Sequence, residues 1–107
     1  MGLLLVEQKI VGTVKIENIL HDSSNVLKTS FNYDTKQLYV TFKNGKVYYY
    51  NAIPFETYEK LKLAESSGKY LNAEIIRKFT TVKVGEASKD EIGLIVEKIN
   101  KLRKEEK

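Results

Sequence analysis

The stretch QLYVTFKNGKVYYY, residues 37–50, decides how this chain is read. Two β-rich runs flank Asn44-Gly45, and Asn-Gly is a strong hairpin signal because both residues tolerate positive φ in a two-residue type I′ turn. Such a loop sets Lys43 opposite Lys46, Phe42 opposite Val47, Thr41 opposite Tyr48, Val40 opposite Tyr49 and Tyr39 opposite Tyr50. Alternation along each strand then sorts the side chains. One face is expected to hold Leu38, Val40, Phe42, Val47 and Tyr49. The other collects Tyr39, Thr41, Lys43, Lys46, Tyr48 and Tyr50. The first is core. The second reads either as a surface that stacks on bases or as a face covered by a helix or a second subunit.

Working outward, residues 26–33 form a further β-rich run before Asp34-Thr35-Lys36, so the middle of the chain is an antiparallel meander. Residues 3–20, apolar around Gly12, suggest one or two more strands, and Asp22 to Asn25 carry loop chemistry. Pro54 opens a helix running to about residue 66, with Phe55, Tyr58, Leu61 and Ala64 on one face and Gly68 placed to end it. Asn72 is expected to cap a second, shorter helix that turns Ile75, Ile76 and Phe79 inward. Residues 80–84 add an edge strand. Ser88 and Glu91 form a capping box for a C-terminal helix whose Ile92, Ile95, Val96, Ile99 and Leu102 make a stripe. That stripe lies on the chain's own sheet or pairs with a second copy. The fold class is α+β: a small antiparallel meander of three to five strands, two short helices after the hairpin and an amphipathic C-terminal helix. Residues 1–22 read as a strand extension, 23–84 as the domain and 85–107 as the tail helix.

Composition bounds the function. The 107 residues suit one domain, and the absence of cysteine removes disulfides, thiol catalysis and thiolate metal sites. A cytoplasmic location follows as the expectation. Leu3 to Val6 is too short an apolar run for a signal peptide or membrane span, and Val6 stands where an N-terminal Met-Gly myristoylation motif needs Ser or Thr. The net charge of +4 is concentrated between residues 23 and 85, where ten basic groups meet five acidic ones. All seven tyrosines lie there too.

No residue set combines a nucleophile, a base and an oxyanion donor. His21 is the only histidine, and its neighbours Asp22 and Ser23 are too close in sequence to converge as a triad, so it reads as a solvated loop residue. One histidine without cysteine gives no metal site, and no cofactor is implied. Ser66-Ser67-Gly68-Lys69 lacks the remainder of a phosphate loop; with Tyr70 it could cradle a small anion or form a plain loop.

The order Ser23-Ser24-Asn25-Val26, Tyr33-Asp34, Leu38-x-Val40-x-Phe42-x-x-Gly45-x-Val47-Tyr48-x-Tyr50, Pro54, Tyr58, Leu61, Ala64, Ser66, Gly68, Tyr70, Asn72, Ile75 resembles a KTSC domain. That family is named for its place at the C-terminus of some lysyl-tRNA synthetases and also occurs as stand-alone bacterial or phage proteins. The resemblance covers residues 23–84, and its synthetase context suggests RNA.

The expected function is a non-catalytic binding module for RNA or another single-stranded nucleic acid. Tyr39, Tyr48 and Tyr50 would stack on bases, with Lys43, Lys46, Lys69, Arg77 and Lys78 on the backbone. Two other classes stay open: a homo-oligomeric adaptor in which the aromatic face and the C-terminal helix stripe from Ile92 to Leu102 bury against another copy or a protein partner, and a phage-type protein that binds or sequesters a nucleotide-like small ligand.

Overall fold

The computed structural model describes residues 3–23 and 25–105. The Met1-Gly2 pair and Ser24 of the family pattern lie outside that range. Six strands form one sheet in chain order, each antiparallel to the next: β1 (Leu3–Val11), β2 (Val14–His21), β3 (Val26–Asn32), β4 (Gln37–Phe42), β5 (Lys46–Tyr50) and β6 (Thr81–Glu86). Three helices complete the fold. They are α1 (Phe55–Leu63), the short α2 (Ser67–Tyr70), which runs into a π-helical turn at Leu71–Ile76, and α3 (Lys89–Glu105).

Six strands exceed the expected three to five because the N-terminal apolar stretch folds back on itself. Gly12 adopts φ +64°, opening a two-residue turn that sets Val11 opposite Val14. The second arm then supplies Ile19 to the main core, so the segment before residue 23 belongs to the same sheet.

The central hairpin departs from expectation by one residue. Thr41 faces Val47, Val40 faces Tyr48, Tyr39 faces Tyr49 and Leu38 faces Tyr50. Asn44 keeps negative φ and its Oδ1 accepts from the Lys46 N–H at 3.0 Å, while Gly45 alone takes φ +92° and its N–H donates to the Phe42 carbonyl at 2.9 Å. This is the three-residue loop, a type I turn closed by a left-handed glycine, rather than the type I′ loop. A one-residue shift moves every β5 side chain to the opposite face. Tyr48 and Tyr50 therefore turn toward α1 and α2, and Tyr49 joins Tyr39 on the other side.

The main core lies between the sheet and the α1–α2 layer. Ile19, Phe31, Leu38, Val40, Tyr50, Ile53, Tyr58, Leu61, Leu71 and Ile75 are buried there, and the Phe31 and Tyr58 rings stack at 4.1 Å. Each such side chain contributes about 1.5–3 kcal/mol through apolar burial. Pro54 occupies the N-cap of α1 at φ −61°, and Lys60 and Lys62 sit in its last turn. The helix ends earlier than expected, at Leu63, because Ala64 is extended and Ser66 starts a new helix, its Oγ accepting from the Lys69 N–H at 3.3 Å. Gly68 therefore lies within α2 rather than ending α1, and Asn72 is an exposed residue of the π turn rather than a cap.

On the opposite face α3 lays Ile92, Ile95, Val96, Ile99 and Leu102 on Leu4, Leu5, Leu20 and Leu27 of the chain's own sheet. The Glu91 N–H donates to Ser88 Oγ at 3.1 Å, which starts the helix as expected. Two exposed ion pairs, Lys98 with Glu7 at 3.1 Å and Arg103 with Asp22 at 2.6 Å, add at most about 1 kcal/mol each. No helix among the described residues is long and apolar enough to cross a membrane.

Candidate functional site

Because α3 crosses only one end of its face, the other end of the sheet stays uncovered. Tyr39 from β4 and Tyr49 from β5 stand side by side there, half-buried, with ring centroids 5.3 Å apart and planes tilted by 37°. Beside them a hollow of about 430 Å³ is lined by Lys9, Ile16, Asn18, Ser30, Asn32, Gln37 and Tyr39. Amide and hydroxyl groups on this floor are already ordered. Ser30 donates its hydroxyl to Asn18 Oδ1, and Gln37 Nε2 donates to Asn51 Oδ1 at 3.0 Å. Lys28 stands at the foot of α3, in hollows on both sides of it. The open end thus combines two adjacent aromatic rings, neutral hydrogen-bonding groups and lysines at its margins.

The residues expected to form one tyrosine-lysine face do not share a surface. Tyr39 keeps its place on the open face. Tyr50 is 2% exposed within the main core, and burial raises its hydroxyl above the ordinary tyrosine range, partly offset by a hydrogen bond with Thr81. Tyr48 packs edge-on against Phe42 at 5.8 Å on the helix side. Lys43 is exposed in the hairpin loop, and Lys46 begins β5 opposite Glu86 of β6. Lys69, Tyr70, Arg77 and Lys78 belong to the α2 layer; the Tyr70 hydroxyl donates to the Thr57 carbonyl at 3.0 Å, and Lys78 pairs with Glu74 at 2.8 Å. Tyr49, absent from the expected set, is the second ring of the open face. Its signal was the glycine after Asn44, which serves a three-residue loop as well as a two-residue one.

His21 is not a solvated loop residue. It ends β2 and is fully buried, with Nδ1 hydrogen-bonded to Ser67 Oγ at 2.8 Å and Nε2 to Thr29 Oγ1 at 2.7 Å. The pairing of α2 with the sheet explains the burial: a polar group withdrawn from water keeps its place when its hydrogen bonds are made. Ser67 is buried as well, so the pair ties elements together.

The family model for the KTSC domain matches residues 22–79, more than half of the chain. The chain belongs to the KTSC domain family. A KTSC domain protein of Yersinia pestis, known from a crystal structure, has the same fold: the TM-score is 0.58 at 22% identity, over 76% of this chain and 100% of that one. No curated protein matches the sequence.

In this KTSC domain, two sets stand out among the residues that carried the resemblance. Leu38, Val40, Tyr50, Tyr58, Leu61 and Ile75 are core. Ser23, Asn25, Phe42, Ser66, Gly68 and Asn72, far apart in sequence, line one cleft of about 520 Å³ between the β2–β3 loop and α2, with Lys69, Asp22 and Glu65 at the same cleft. The walls meet closely: a side-chain carbon on Gly68 would lie 3.1 Å from Ser23 Oγ.

Proposed function

We propose that this KTSC protein is a non-catalytic binding module whose open sheet face takes single-stranded nucleic acid, RNA foremost. The observation that carries the reading is the Tyr39–Tyr49 pair on an uncovered sheet end. Single-strand binders stack unpaired bases on such rings, with about 1–3 kcal/mol per base, and read base edges with neighbouring amides and hydroxyls. Asn18, Ser30 and Gln37 offer those groups, and Lys9 and Lys28 supply positive charge for phosphates. The basic excess of residues 23–85 favours the same class of partner, and a cytoplasmic setting goes with it. A second reading rests on the 520 Å³ cleft, where the residues of the family pattern converge beside Lys69: a nucleotide-like small ligand held there.

The test is fluorescence anisotropy of a labelled single-stranded RNA at two salt concentrations. A Tyr39→Ser, Tyr49→Ser double variant should lose at least tenfold in affinity while the Tyr39→Phe, Tyr49→Phe variant keeps most of it, and binding should weaken with salt. Equal binding by the serine variant, with its fold intact by circular dichroism, overturns the assignment. Competition by free mononucleotides that depends on Lys69 and not on the tyrosines would instead favour the cleft.

A further inference from the structure

The first strand is a sheet edge along which no other strand pairs among the described residues. From Val6 to Val11 every residue of β1 is exposed, and the aliphatic side chains Val6, Ile10 and Val11 are 39%, 71% and 55% accessible. Protein sheets usually blunt such an edge with proline, a bulge, charged side chains or a covering loop; β1 has the charges Glu7 and Lys9 and a register break between Leu3 and Leu5. Residues 5–11 have no proline, and their register with β2 is unbroken. The opposite edge, β6, is blunted: its register with β5 breaks between Val47 and Tyr48.

The backbone phase of β1 follows from its turn. Val11 and Val14 close a two-residue loop and therefore exchange hydrogen bonds, so Lys9, Glu7 and Leu5 also bond inward to β2. Val6, Gln8 and Ile10 are left with their N–H and C=O groups pointing away from the sheet. An antiparallel partner can then be centred on one of those three residues or on a residue between them, but centring on Glu7 or Lys9 sets that charge opposite its own copy. Centring on Gln8 sets Glu7 opposite the partner's Lys9, Val6 opposite the partner's Ile10 and Leu5 opposite the partner's Val11. Centring on Val6 or Ile10 leaves each charge without an opposite charge across from it. The strand is therefore complementary to itself in one register only.

We propose that β1 is a homodimerisation edge on which a second copy of this chain pairs antiparallel about Gln8, joining two six-stranded sheets into one. The twofold axis of such a pair stands perpendicular to the sheet, so both copies turn the same face to the same side. Lys9 and the β1 ends of the two open faces then meet at the junction, and Glu7 is shared between Lys98 of its own α3 and the partner's Lys9. This interface does not use the tyrosine pair, so it stands independently of the nucleic-acid reading.

Sedimentation equilibrium of the full chain tests it. The wild type should show a reversible monomer–dimer equilibrium. Glu7→Lys and Lys9→Glu each place like charges opposite one another twice per dimer and should weaken association about tenfold, with melting curves confirming that each variant is folded. An equimolar mixture of the two variants restores both opposite-charge pairs and should dimerise at least as well as the wild type. A wild type that stays monomeric at sub-millimolar concentration overturns the proposal. So does a dimer indifferent to both single changes, or a mixture that gains nothing over its components.

Discussion

The Tyr58 hydroxyl of α1 donates to Glu17 Oε1 of β2 at 2.7 Å, a contact that spans 41 residues of sequence inside the main core. Glu17 is 1% exposed, yet its carboxylate is fully engaged: Lys62 Nζ lies 2.9 Å from Oε1, Gln8 Nε2 donates to Oε2 at 2.9 Å, and the Tyr33 hydroxyl approaches Oε1 at 3.3 Å. Lys15 lies over the Tyr33 ring at 4.6 Å. A buried charge so placed locks the helix layer to the sheet in one orientation.

Breaking this network from the centre leaves its partners stranded. Glu17→Ala should destabilise the fold by about 3 kcal/mol, because the Tyr58 hydroxyl and the Lys62 ammonium lose a buried acceptor. Tyr58→Phe removes one charge-assisted bond and should cost about 2 kcal/mol. Urea unfolding followed by tyrosine fluorescence measures both, and a loss below half a kcal/mol for Glu17→Ala would show the network to be ornamental.

The same carboxylate makes stability depend on pH in a defined direction. Burial pushes the Glu17 carboxyl up, but hydrogen bonds from Tyr58, Gln8 and Lys62, with the charge of Lys62, outweigh it and hold the group below its ordinary value of 4.5. A depressed native value contributes stability that is complete above the unfolded value and is lost as pH falls through the native one. Melting temperature should therefore drop as pH is lowered below about 4.5, and Glu17→Gln should flatten that part of the curve. The opposite slope in the wild type would contradict the assignment.

Two glycines should respond in opposite directions to alanine. Gly45 sits at φ +92° in the central hairpin, and an added carbon would meet the Ala87 carbonyl oxygen at 3.4 Å. Gly45→Ala should cost about 1–2 kcal/mol. Gly93 lies within α3 with nothing inside 4 Å of the same position, so Gly93→Ala should stabilise by up to about 1 kcal/mol. Chemical denaturation of the two variants checks both signs together.

Most of the meander could be read from residues 26–51, since alternation and turn residues act locally, and the stripe of α3 announced a buried face at helical spacing. The tyrosine face could not be read correctly, because Asn44-Gly45 suits two loops of different length and a one-residue difference exchanges the faces. His21 and Glu17 were illegible for another reason. Polar residues in a strand look solvent-facing until the partners that satisfy them, Ser67 and Tyr58, arrive from distant helices. The family pattern showed the core positions plainly, but only the folded chain brings Ser23, Ser66 and Asn72 to one cleft.

The two faces of the sheet are fastened very unequally. Among the described residues, eleven fully or nearly fully buried side chains form the cluster on the α1 side, whereas between α3 and the sheet only Leu20, Leu27 and Ile99 are that buried, with Leu4, Leu5, Ile92, Ile95, Val96 and Leu102 half-buried around them. The family match ends at residue 79, before β6 and α3 begin. A cover held mostly by half-buried side chains shields its face of the sheet less completely than the α1–α2 layer shields the other. The width of the exposed floor is thus set by how far α3, a helix outside the family match, reaches across the sheet.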